Sequence, residues 1–155
     1  MAADYYGPFL EKAKSLVSGA EGSLTVNHVH AEPPLSYVAS RSPVIEMLLL
    51  YLAHGSEDEA ATTVSRFLEI AAKNAGSDIK AYTHGPVLEE LEKEGVDGKL
   101  KGYFVALGWA SVDAHMAFRE TEVFKEHVPA LRALAKGLKV VSVSSFVAMA
   151  FGLPG

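Results

Sequence analysis

The sequence predicts a single α+β domain built on an antiparallel sheet, in the order strand, helix, strand, strand, helix, strand. Three observations carry this. A nearly unbroken apolar run at 44–53 is followed by a strongly amphipathic stretch at 57–76. Two short β-patterned runs come next, at 79–85 and 102–110. A second long amphipathic stretch from Ser111 then leads into a last apolar run at 138–149. This is the ferredoxin-like split β-α-β arrangement, and 155 residues fit one domain of that kind.

Residues 5–18 place Phe9, Leu10, Ala13, Leu16 and Val17 at helical spacing, with Gly19 and Gly22 available to stop the helix. SLTVNHVHA at 23–31 reads as a strand. This pair resembles the last two elements: a shift of 115 sets Phe9 on Phe124, Ala13 on Val128, Leu16 on Leu131 and Gly22 on Gly137. A partial second repeat would give that match, and so would any two amphipathic helices that end in glycine. Residues 1–43 are thus expected to form an extra helix and strand plus a linker. They precede a complete domain at 44–155 and pack with it as one unit. The linker, 32–43, has three prolines and no period, and is expected to run over the surface.

Within the domain, the run at 44–53 is apolar at both parities, as expected of a strand covered on both faces. Leu48, Leu50 and Leu52 lie on one side, Met47, Leu49 and Tyr51 on the other. The helix at 57–76 has Ser56 and Glu59 in capping-box spacing, a stripe of Ala60, Val64, Phe67, Leu68 and Ala71, and Gly76 as its stop. Strand 79–85 is followed by a charged excursion, 86–99, expected to hold one or two helical turns, and then by strand 102–110. The helix from Ser111 toward Gly137 carries a stripe of Ala114, Ala117, Phe118, Thr121, Phe124, Val128 and Leu131, and Pro129 is expected to kink it or end its regular part. With helices on one side only, a bare but apolar opposite face predicts a homodimer.

Composition narrows the function. The hydrophobic fraction of 49% and charged fraction of 21% are those of a folded globular protein. A net charge of −5 and a pI near 5.7 supply no basic footprint for nucleic acid. Without cysteine there is no disulfide framework, thiolate nucleophile or Cys-ligated metal. The N-terminus lacks the basic and apolar regions of a signal peptide, and the longest apolar stretch is too short for a membrane span, so a cytoplasmic protein is expected. No phosphate loop, dinucleotide fingerprint, Ser-His-Asp motif or HExxH helix occurs, and no cofactor is expected.

The stretch GWASVDAHMAFRETEVFKEHVPALR, 108–132, resembles the dimeric α+β barrel superfamily, in particular fungal proteins related to antibiotic-biosynthesis monooxygenases. Trp109, Ser111, Ala114, His115, Arg119, Phe124 and the following Pro129, Leu131 and Arg132 carry the resemblance. So do Pro43, Val44 and Glu46 and the LEELEKEGVDGK segment, and the match extends over about 43–149. The resemblance implies a ferredoxin-like subunit of a dimeric barrel. It leaves the reaction open, because the superfamily includes cofactor-independent monooxygenases, polyketide cyclases, haem-degrading enzymes, isomerases and stress proteins. Many members have a histidine nine residues after the tryptophan, where this chain has Phe118; its His115 comes six after.

Several residues are candidates for chemistry. Glu46 is the one charge inside an apolar strand, and a buried carboxylate needs a partner. Tyr82 and His84 share a strand face, which would suit a general base beside an oxyanion donor. His115 and Arg119, with Glu122, fall on one flank of the second helix, either as the polar rim of a cavity beneath Trp109 or as a solvated strip. Catalytic candidates are therefore His84, Tyr82, Glu46 and His115; substrate-binding candidates are Trp109, Arg119, Phe104 and Phe118. His28 and His30 alternate on one strand face and are metal candidates that need a third ligand, Glu32 or a distant residue; haem binding is a further alternative. The expected function is that of an enzyme acting on an aromatic or polyketide-like small molecule. Cofactor-independent oxygenation is preferred to cyclisation, isomerisation or lyase chemistry, and the competing class is a non-catalytic ligand-binding or stress-response dimer.

Overall fold

The computed structural model describes residues 27–144. The expected helix at 5–18, the alignment of a partial repeat, residues 23–26 of the expected first strand and the end of the last strand lie outside them. The described elements run α1 (Leu35–Ala39), β1 (Val44–Leu52), α2 (Glu57–Ala75), β2 (Ile79–Lys93), β3 (Val96–Trp109), α3 (Val112–Arg119), α4 (Glu122–Leu134) and β4 (Ala135–Ser144). The sheet order is β2-β3-β1-β4 with every pairing antiparallel, so the fold is the ferredoxin-like β-α-β-β-α-β unit. Among the described residues, no helix is long and apolar enough to cross a membrane.

One face of the sheet holds the main core. Val44, Leu50 and Leu52 of β1 and Tyr103, Val105, Leu107 and Trp109 of β3 meet α2 and α4 there. The buried residues of α2 are Ala60, Val64, Phe67, Leu68 and Ala71, residue for residue the stripe its periodicity predicts. Each of its large apolar side chains contributes roughly 1.5–3 kcal/mol on burial. Ser56 occupies the N-cap position but makes no side-chain capping bond, and Gly76 ends the helix at φ 56°.

The excursion at 86–99 is not helical. It extends β2 and β3 into a long hairpin closed by the two-residue turn Glu94–Gly95, with Lys93 paired to Val96 and Gly95 at φ 79°. Buried Val87, Leu91 and Leu100 anchor it while the charges face outward, so alternation won over helix propensity. The second helix is two: Thr121 accepts the Phe124 N–H at 3.2 Å and starts α4 afresh, and the helix continues through Pro129 to Leu134.

The linker is also not simply a surface passage. Val38 and Ala39 of α1 are buried against Ile45, Ala81 and Ala106 on the second face of the sheet. Residues 27–34 cross the edge of β2. They form a bridge between Val29 and Val87, and the His30 backbone sits so close over Gly85 that any Cβ there would collide with its carbonyl. The rest of the second face is less covered, for Met47, Leu49 and Tyr51 are each half-buried.

Candidate active site

The two ends of the main face are built differently. At the β3 end, Ser111 accepts the Ala114 N–H at 3.0 Å, which caps α3 and turns the chain back over the sheet. His115, in the first turns of α3, is thereby laid against Trp109, the last residue of β3, with ring centroids 5.1 Å apart. Trp109 pairs in register with Val44 and Leu107 with Glu46, so Trp109 and Glu46 are diagonal neighbours on one face.

Three polar atoms converge there. Trp109 Nε1 donates to Glu46 Oε2 at 3.3 Å, and His115 Nε2 lies 3.3 Å from the same oxygen. The side chains of His115 and Glu46 are only 12% and 15% exposed, so this ion-pair geometry lies mostly out of solvent. The pair stands at ion-pair distance, and a histidine beside a carboxylate is a residue type suited to moving a proton. Phe118 packs on Trp109 at 5.5 Å and edge-on against Phe124 at 5.8 Å, completing an aromatic wall.

This wall and triad line a cavity of about 260 Å³ between the sheet and the helices α2, α3 and α4. Its other surfaces are apolar, with Leu48, Val105, Leu107 and Val128 among them, and Arg119 and Arg132 stand on its edge. An apolar hollow with few convergent polar groups is the usual form of a small-molecule site.

The other candidates fall elsewhere. His84 does not pair with Tyr82. Its Nδ1 lies 2.8 Å from the Tyr103 hydroxyl and its Nε2 3.4 Å from Ser65 Oγ, tying β2 to β3 and α2. Burial holds the His84 imidazole below its ordinary value and pushes the Tyr103 phenol up, so both are neutral near pH 7. Neither His84 nor Tyr82 lines the cavity; Tyr82 packs beside the main core. Phe104 belongs to the opposite face, next to the α1 cluster, because strand residues alternate in direction and its neighbours Tyr103 and Val105 take the cavity side. Ser65, Tyr103 and Arg132 are the residues that sequence reasoning missed at these sites.

The histidine pair near the N-terminus makes other contacts among the described residues. His28 meets Glu89, which accepts its backbone N–H at 2.8 Å and whose other oxygen contacts Nδ1, while His30 hydrogen-bonds through its backbone to Pro86. Among the described residues no three His, Cys, Asp or Glu side chains are grouped to hold a metal ion.

No family model matches the sequence, and no curated protein matches it. Among solved structures it is similar to a variant of SnoaB, a cofactor-independent oxygenase from Streptomyces nogalater, at 16% identity over 70% of this chain and 99% of that one, with a TM-score of 0.49. A protein from Caulobacter crescentus, named as a proposed antibiotic biosynthesis monooxygenase, is 15% identical over 67% of this chain and 90% of its own, with a TM-score of 0.49. A protein from Fusobacterium nucleatum, named as a proposed monooxygenase, is 12% identical over 86% of this chain and 58% of its own, with a TM-score of 0.54. At that last score the likeness is one of fold: the chain shares the α+β architecture of that structure.

Proposed function

We propose that the protein is an enzyme that removes a proton from an acidic carbon or phenol of an aromatic or polyketide-like compound and then lets the anion react with O₂. The convergence of Glu46, His115 and Trp109 on an apolar cavity carries this reading. His115 takes the proton, Glu46 orients the imidazole and balances the imidazolium, and the aromatic wall stacks on the substrate. Such general-base assistance is worth about 10²–10⁴-fold.

The oxygenation balances without a cofactor. A benzylic CH₂ flanked by phenolic rings loses a proton to give a delocalised carbanion. The carbanion transfers one electron to O₂, the radical pair forms a C–O bond, and the resulting hydroperoxide loses water to leave a C=O. One oxygen atom enters the product and the other leaves as water, so O₂ is the only oxidant needed. Cyclisation, isomerisation or lyase chemistry would begin from the same anion and consume no O₂. The preference for O₂ rests on the likeness in fold to a protein named as a proposed monooxygenase.

The reading includes a homodimer. Met47, Leu49 and Tyr51 stay half-buried on the second face, and a second sheet laid against them would cover that apolar strip. Sedimentation equilibrium tests this part independently.

The test of the chemistry is O₂ uptake with a panel of anthrones, naphthols and β-keto compounds, using the wild type, Glu46→Gln and His115→Gln. Stoichiometric O₂ uptake, lowered about 100-fold in His115→Gln, is expected. Turnover that proceeds unchanged under nitrogen would replace oxygenation by cyclisation or isomerisation. An activity indifferent to both substitutions would overturn the assignment of the base, and no activity on any of the panel would favour a binding protein.

A further inference from the structure

The charged groups on the cavity lining are unevenly matched. Glu46 is the one carboxylate, and it is already engaged by His115 and Trp109. Facing the same cavity are Arg119, in the last turn of α3, and Arg132, in the last turn of α4. Both are exposed, and neither makes an ion pair or a side-chain hydrogen bond among the described residues. A cation is favourable near a helix C-terminus, which accounts for a basic residue in each last turn. It does not account for both arginines bordering one apolar hollow in a chain whose net charge is −5.

We propose that Arg119 and Arg132 form a carboxylate-recognition edge. On the reading that the cavity binds an aromatic substrate, that substrate is an aromatic or polyketide-like carboxylic acid. Its rings lie against Trp109 and Phe118, and its carboxylate is held at the cavity mouth. Guanidinium groups present a planar fork of donors that matches a carboxylate in two parallel hydrogen bonds. Two such forks at the rim of an otherwise apolar cavity orient a ligand end to end: the acid toward solvent and the arginines, the ring system inward toward His115. This also separates the ligand's negative charge from Glu46, which a carboxylate entering the other way would meet.

The experiment measures binding apart from turnover. The affinities of 2-naphthoate and its methyl ester for the full chain are compared by titration calorimetry near pH 7.5, for the wild type and for the Arg119→Gln/Arg132→Gln double variant. Wild type is expected to bind the acid about tenfold more tightly than the ester. In the double variant the preference disappears through loss of acid affinity, with the ester unchanged. A double Lys variant should keep part of the preference, because charge remains and the fork is lost. The preference should also shrink with added salt, because both arginines are solvent-exposed. Near-UV circular dichroism from Trp109, the one tryptophan, checks that each variant keeps the cavity wall. Equal affinity for acid and ester in wild type, or a preference that survives in the Gln variant, overturns the carboxylate edge and leaves the base reading standing. Binding of neither ligand up to millimolar concentration overturns the aromatic-substrate reading and this inference with it.

Discussion

A double-mutant cycle on Glu46 and His115 gives the most direct measure of the site. The perturbation is Glu46→Gln, His115→Gln and the pair together, each change keeping size roughly constant while removing a charge or a ring. In wild type, Glu46 Oε2 lies 3.3 Å from both His115 Nε2 and Trp109 Nε1. Hydrogen bonds to charged groups contribute about 1.5–3 kcal/mol, and these distances are long against the 2.7–2.9 Å of the strongest charge-assisted bonds. That range covers the Trp109–Glu46 bond; the Glu46–His115 pair is an ion-pair contact, and for residues in direct contact a coupling of about 1 kcal/mol is expected. Glu46→Gln alone should cost about as much as the coupling, because the amide oxygen, with two lone pairs, can take the place of Oε2 toward both groups while the charge is lost. Urea unfolding read by the fluorescence of Trp109 measures all four proteins, and the same indole reports whether its environment has changed. Strictly additive single effects would refute the reasoning. They would mean that the imidazole and the carboxylate do not meet in solution and that Glu46 cannot orient His115.

Three further effects follow from other contacts. The His84 imidazole, depressed below its unfolded value of 6.5 by burial, is neutral in the folded state, so the unfolded chain binds more protons as pH falls through 6.5. Its contribution is complete above 6.5 and is lost as pH falls through the folded value; wild type should lose more stability than His84→Gln between pH 7.5 and 5, and parallel curves would contradict this. A Cβ at Gly108 would run into the Ser42 side chain and press on Val38 of α1, so Gly108→Ala should cost about 1–3 kcal/mol of unfolding free energy. Ser42 Oγ is buried without a hydrogen-bond partner among the described residues, so Ser42→Ala should be neutral or stabilising, by about 1 kcal/mol at most; a loss of stability would reveal a partner for that hydroxyl.

The fold was legible where one physical signal dominated. The stripe of α2 repeats at 3.6 residues with no competing pattern, and the buried set is the one read from spacing. The hairpin at 86–99 was not legible as such, because LEELEKEG has the residue types of an exposed helix. What decides it is the pairing of Val87 with Gly102 and Leu91 with Leu100, and that needs the partner strand in place. Local propensity is weak against a ladder that continues from an already formed β2–β3 pair. Thr121 misled in the opposite way: counted as part of a stripe, it is the cap that divides two helices. Its Phe118–Thr121–Phe124 spacing fits either reading. Only the backbone, extended at Thr121 with ψ 150°, separates them.

The site divides along the same line. Glu46 could be singled out because a carboxylate within an apolar strand needs a reason, but its partners come from β3 and α3, more than sixty residues away, and register chooses them. Trp109 follows from Val44 being its paired residue, and His115 from the cap at Ser111 that turns α3 inward. Tyr82 and His84 looked equivalent to such a pair because alternation puts them on one face. Alternation, however, says nothing about which cross-strand neighbour is nearer, and Tyr103 on β3 wins the imidazole. The result is two polar arrangements on one sheet face with different consequences. His84, Tyr103 and Ser65 satisfy one another and leave no group turned toward the cavity. Glu46 and His115 stand at ion-pair distance through Nε2, and both line the cavity. A ligand in that cavity would meet His115 and Glu46, and the proposed function places its chemistry at the β3–α3 end of the sheet for that reason.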